Sequence, residues 1–220
     1  MYVEFNIPSV EQRSSLLDYW AKATMIGSPS NRYQINALAS TYIRLVESCL
    51  VEYESGAARL REFWNTHTSI NLTAMNRSIG HFEVCVTNAC RAIHCYRRLR
   101  KDRERDPVAQ HLSASRPSFT SDAVANRFVE IRNQIQHLEN AVVKGEIEEG
   151  QPFMLAPSGN EVAHPTEPNQ TIEMIDRLVI GKTELPFSEL AALLHELHEF
   201  ALSISDFLPN STKRASEDQR

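Results

Sequence analysis

Residues 121–145, SDAVANRFVEIRNQIQHLENAVVKG, decide the fold class. Val124, Phe128, Ile131, Ile135, Leu138 and Val142 alternate four- and three-residue steps, which puts them on one face of an α-helix. Ser121 or Asp122 supplies the N-cap, and Gly145 ends the pattern. The same period recurs on both sides. Ile79, Phe82, Val86, Ala89, Ile93 and Tyr96 predict a helix from Ile79 to about Lys101, with bases gathered at its C-terminal end, where the helix dipole favours cations. Ile35, Leu38, Tyr42, Leu45, Val46 and Cys49 predict a long helix from about Asn31 to Trp64, with Ser55-Gly56 as a candidate interruption. A first helix is expected from Val10 to Met25 with Ser9 as its cap, and a last one from Pro186 through Phe207.

The segments between these patterns read differently. Thr66 to Asn76 is polar and aperiodic, hence a connector, and Asp106 to Thr120 is a loop rich in proline and serine. From Gly150 to Gly181 the character changes. Phe153 to Ala156 and Glu161 to Ala163 flank Pro157-Ser158-Gly159-Asn160, the pattern of a small β-hairpin, and Thr171 to Ile180 reads as a third short strand or a short helix. The expected architecture is therefore all-α. A helical bundle over 77–209, with an insertion at 150–181 that holds the hairpin, follows an N-terminal helical extension over 1–76. It is trailed by a disordered tail over 210–220.

Composition narrows the function classes. The chain has 220 residues, 42% of them apolar, enough to enclose a core and too apolar for wholesale disorder. Seven glycines are few for a turn-dense β-barrel. No apolar run reaches the roughly 18 residues of a membrane span, and the N-terminus lacks a basic and then apolar leader, so no membrane partner is expected. Four cysteines suit a reducing cytoplasm better than a disulfide scaffold. The net charge of −5 is uneven: residues 1–137 carry 17 bases against 13 acids, residues 138–220 carry 6 against 15. Between Arg91 and Asp106 stand seven bases and three acids, so a polyanion would be met there.

Several catalytic patterns fail on spacing. Cys85, Cys90 and Cys95 recur every five residues, about 140° apart on a helix, and do not converge on a metal. His195-Glu196-Leu197-His198 spaces its histidines three apart, whereas a zincin helix needs four. Glycine-rich phosphate loops, a serine elbow and kinase motifs are absent. Neither a metal nor a cofactor is therefore expected. What remains is Arg132-Asn133-Gln134-Ile135-Gln136-His137, a polar ridge beside the buried stripe of residues 121–145. Arg132 and His137 flank one edge, and Asn133, four residues before His137 and on its face, is placed to orient the ring.

This spacing resembles the R-x4-6-H motif of the HEPN (higher eukaryotes and prokaryotes nucleotide-binding) superfamily, in which a polar residue, often Asn, follows the Arg. The resemblance runs in outline from about Ile79 through Phe207, leaving out the first seventy-odd residues and the insertion. It implies a metal-independent endoribonuclease whose site forms where two motif helices face each other in a homodimer, with Arg132, Asn133 and His137 as its catalytic residues. RNA supplies its own nucleophile, the 2′-hydroxyl. An imidazole with an ordinary pKa near 6.5 exchanges protons near neutrality, and a guanidinium suits the charge that develops on phosphate. Arg97, Arg98, Arg100, Lys101 and Arg103 are the expected RNA-binding bases if their helix lies alongside the cleft. The implied setting is a toxin or anti-phage effector held by an antitoxin or a sensor protein. The alternative is a non-catalytic dimeric adaptor or nucleotide-sensing module. One departure narrows the class: nucleotidyltransferase-silenced toxins carry a tyrosine two residues after the motif His, where this chain has Glu139.

Overall fold

The computed structural model describes residues 2–11, 14–65, 71–102, 106–149, 151–152 and 154–207. In chain order these form β1 (Tyr2–Phe5), α1 (Ser15–Met25), α2 (Tyr33–Asn65), α3 (Leu72–Leu99), α4 (Pro107–Ser113), α5 (Asp122–Gln136), α6 (Leu138–Val143), β2 (Ala156–Ala163), β3 (Thr171–Ile180), β4 (Thr183–Pro186) and α7 (Phe187–Asp206). The all-α expectation is overturned. Beside the helices lies a mixed four-stranded sheet in which β3 pairs antiparallel with β2 along its length, while β1 (parallel) and β4 (antiparallel) pair with its two halves.

The sheet forms because β3, TIEMIDRLVI, is rich in β-branched residues and buries Ile172, Ile175, Leu178 and Ile180. The expected hairpin turn at Pro157–Asn160 lies instead within the first part of β2, and the partner strand is β3. Gly159 makes this crossing feasible. A Cβ there would stand 1.7 Å from the Met174 carbonyl oxygen, so only glycine lets the two backbones approach where the register shifts. β1 lies in the N-terminal segment, where alternation over four residues is too short to register as a strand.

Helix α2 runs 33 residues without a break at Ser55-Gly56. Gly56 serves packing rather than interruption: a Cβ there would meet the Phe82 ring of α3 at 3.0 Å. Phe82, Val86, Ala89, Ile93 and Tyr96 of α3 are buried as the period predicts, and they pack with Tyr42, Val46, Cys49, Tyr53 and Leu60 of α2 in one core. Two buried tyrosine hydroxyls find acceptors: Tyr42 donates to the Leu197 carbonyl at 2.8 Å, and Tyr53 donates to that of Pro8 at 2.8 Å. Residues 6–11 are not helical; Ile7 and Val10 are buried, and the Val10 amide donates to Glu54 at 2.8 Å. α1 accordingly starts at Ser15 rather than Val10. The Asp106–Thr120 loop contains α4, whose N-cap Asp106 is itself buried and accepts from Val108 and Ala109 amides and from Ser30. Arg103 and the 210–220 tail lie outside the described residues. No described helix is long and apolar enough to cross a membrane.

Candidate functional site

The motif helix α5 is held from three sides. Ser121 caps it, accepting from the Val124 amide at 3.3 Å. Ala125, Phe128 and Ile131 are buried toward the core. For Phe128 this contributes on the order of 1.5–3 kcal/mol relative to exposure. Beside that buried face Arg127 bonds Glu189 of α7 with two nitrogens, at 2.5 and 2.8 Å, and reaches the Glu184 carbonyl at 2.8 Å. Gln134 donates to Thr183 at 2.9 Å. α5 is thereby tied to α7 and β4, and its free edge carries Asn133 and His137.

His137 is where the helix ends. Its backbone (φ −117°, ψ 25°) leaves the helical region, its amide donates to the Asn133 carbonyl at 2.9 Å, and α6 begins at the next residue. The 121–145 pattern is thus two helices joined at His137 rather than one. The ring is exposed and lines an open groove of about 680 Å³ with Asn126, Asn133, Lys144, Glu130 and Glu146. Asn133 is exposed on the same groove.

Arg132 points elsewhere. It is half-buried and does not line that groove; its charge acts on Cys90 and His94 of α3. Burial pushes the Cys90 thiol up, and the Arg132 guanidinium opposes that shift. The His94 imidazole is held below its ordinary 6.5 by partial burial first, then by the charges of Arg97, Arg98 and Arg132. Arg132 Nη1 donates to Asn133 Oδ1 at 3.3 Å, and its Nε is buried without a hydrogen-bond partner. Within one chain, then, Asn133 and His137 share a groove, and Arg132 reaches it only through Asn133.

The expected RNA-binding bases also separate. Arg97 is ion-paired with Asp122 of α5. Arg98 and Lys101 are exposed, whereas Arg100 is half-buried with its guanidinium 5.9 Å from the Tyr96 ring centroid. The run of bases is contiguous in sequence but spread around the helix end. Two residues were missed by that grouping, Arg91 and His94. Both are exposed on α3 and line a cleft with Arg98, and the signal was available: 91, 94 and 98 follow helical spacing.

The remaining candidates take structural places. Cys49, Cys85, Cys90 and Cys95 are free and buried. His198 is buried, while His195 is exposed beside Glu199 at 3.5 Å. Among the described residues no three His, Cys, Asp or Glu side chains gather as metal ligands would. No family model, curated protein or solved structure matches the chain.

Proposed function

We propose that the protein is a metal-independent endoribonuclease acting through Arg132, Asn133 and His137. The observation that carries this reading is the exposed His137 ring at the end of α5, in a groove whose wall residue Asn133 accepts a hydrogen bond from Arg132. An imidazole and a permanent cation thus stand on either side of Asn133, one half of the set that transesterification of RNA requires. His137 accepts the proton of the 2′-hydroxyl as O2′ bonds to phosphorus; the P–O5′ bond breaks, and O5′ takes a proton from a second imidazole. The products are a 2′,3′-cyclic phosphate and a free 5′-hydroxyl. Arg132 stabilises the charge on the non-bridging oxygens.

The second imidazole comes from a second copy. A two-fold pairing of α5 brings the His137 of one chain toward the Arg132 of the other with one self-complementary patch. The exposed Val142 and Val143 of α6, next to the groove, suit such a contact. The motif resemblance implies a toxin or anti-phage effector restrained by an antitoxin or sensor, and the four free cysteines suit a cytoplasmic setting for it. The carboxylates of Glu130 and Glu146 in the groove favour a second reading, since they repel an RNA backbone and suit a protein partner. On that reading the bundle is a non-catalytic dimeric adaptor.

Incubation of purified protein with single-stranded RNA in EDTA, followed by analysis of product ends, tests the proposal. Cleavage with cyclic-phosphate ends, lost in His137→Ala, supports it. Absence of cleavage by a folded dimer leaves the adaptor.

A further inference from the structure

The seam between α2 and α3 holds a second cluster that the motif does not use. Arg91, His94, Cys95 and Arg98 follow one face of α3, and Leu38, Thr41 and Leu45 follow the facing side of α2. Together they enclose a cleft of about 270 Å³. Cys95 closes its floor by donating to the Leu38 carbonyl at 3.3 Å. Two guanidiniums and an imidazole line the space, and among the described residues no carboxylate does. Neither Arg91 nor Arg98 has an ion-pair partner among the described residues, unlike Arg97 with Asp122 or Arg127 with Glu189. Among the described residues, the charges that act on His94 are positive: Arg97 and Arg98 on its own helix and Arg132 from α5. α2 contributes only Leu38, Thr41 and Leu45 to the cleft.

We propose that this α2–α3 cleft is a binding site for a phosphoryl group, held by Arg91, His94 and Arg98 with Thr41 as a hydroxyl donor. Like charges gathered without a counter-ion repel one another, and a bound anion offsets that repulsion. Guanidiniums seven residues apart, two helical turns along one face, leave room for a group between them that accepts from both. The volume lies just under the roughly 300 Å³ at which pockets begin to enclose drug-sized ligands, and so suits a phosphate with part of a sugar. The groove at His137 differs, since Glu130 and Glu146 line it beside Lys144. Arg98 is shared with the expected RNA-binding bases, but the site does not depend on cleavage, since none of its residues belongs to the Arg132–Asn133–His137 set.

The His94 ring is the reporter. Its NMR titration is followed in the full chain with inorganic phosphate, with AMP and with an uncleavable 2′-deoxy oligonucleotide, against chloride at matched ionic strength. A bound phosphate beside His94 raises its midpoint. The Arg91→Gln/Arg98→Gln double variant, altered at two exposed positions, is expected to stay folded and to weaken the response about tenfold or more. His137→Ala keeps binding, so loss of nuclease activity and loss of this site are told apart. A response to phosphate and AMP identifies a site for a free phosphoryl group; a response to the oligonucleotide alone identifies a backbone-phosphate site. Both support the proposal. No rise with any probe, or an equal rise in the double variant, overturns it.

Discussion

Arg132 Nη1 donates to Asn133 Oδ1 at 3.3 Å, which joins a guanidinium on the α3 side of the motif helix to the groove that contains His137. The bond makes Asn133 a positioning residue: its oxygen holds Arg132 and its backbone carbonyl accepts the His137 amide. Asn133→Ala is expected to lower RNA cleavage less than His137→Ala, with part of the activity kept by Asn133→Asp, whose oxygens still accept from Arg132. Comparison of kcat against KM for the three variants checks this. Because Asn133 and His137 are exposed, the alanine variants should change unfolding free energy by less than about 0.5 kcal/mol.

The direction in which Arg132 points has its own consequence. It is one of three guanidiniums that help to hold the His94 imidazole low, after partial burial as the first cause. Arg132→Gln should therefore raise the His94 midpoint in an NMR titration. A histidine whose folded pKa is lowered takes its proton more readily in the unfolded chain, so its contribution to stability falls as pH drops below about 6.5. His94→Gln should accordingly flatten the loss of stability between about pH 7 and pH 5, read by urea unfolding. A steeper loss in the variant would show that His94 is not held low.

The helices were legible because burial on one face repeats with the helical period. Phe82, Val86, Ala89 and Ile93 on α3, and Phe128 and Ile131 on α5, are buried where the period puts them. The sheet was not legible for two reasons. β1 is four residues long and gains its partner β3 from nearly 170 residues away, information no local window contains. β2 contains Pro157, Ser158 and Gly159, which read as a turn until the close approach of Met174 is seen. At the site, grouping bases by sequence neighbourhood linked Arg97 to Arg98. Around the helix they diverge, one to Asp122 and the other to the α2–α3 cleft. The end of α5 at His137 had no sequence signal either, since neither Gly nor Pro stands there.

Two glycines separate the roles that packing and propensity play. At Gly159 any side chain collides with the Met174 carbonyl, a backbone atom that does not yield easily, so Gly159→Ala should destabilise by about 1–3 kcal/mol. At Gly80, inside α3, a Cβ meets nothing within 4 Å, and Gly80→Ala should stabilise by about 0.5–1 kcal/mol through helix propensity. Thermal and urea unfolding of both variants checks the pair. A neutral Gly159→Ala would mean that β2 does not pair with β3 in this register.

The placement of Arg132 and His137 also sets the terms for the oligomer. Within one chain the guanidinium does not line the His137 groove, so a single chain offers one imidazole and an indirectly linked cation. Two proton transfers and the stabilisation of one phosphate need more. If paired α5 helices supply it, both His137 rings belong to one shared site, and a dimer with one His137→Ala chain lacks a proton-transfer group. When wild-type and His137→Ala chains are denatured, mixed in equal amounts and refolded, random pairing makes about a quarter of the dimers fully wild-type. Cleavage should fall to about a quarter of the wild-type rate if the site is shared, and to about half if each chain acts alone. A tagged-chain pull-down measures the mixed fraction independently. Half-rate cleavage with the mixed dimer verified would place the reaction within one chain, and Arg132 would then have to swing from α3 into the groove to take part.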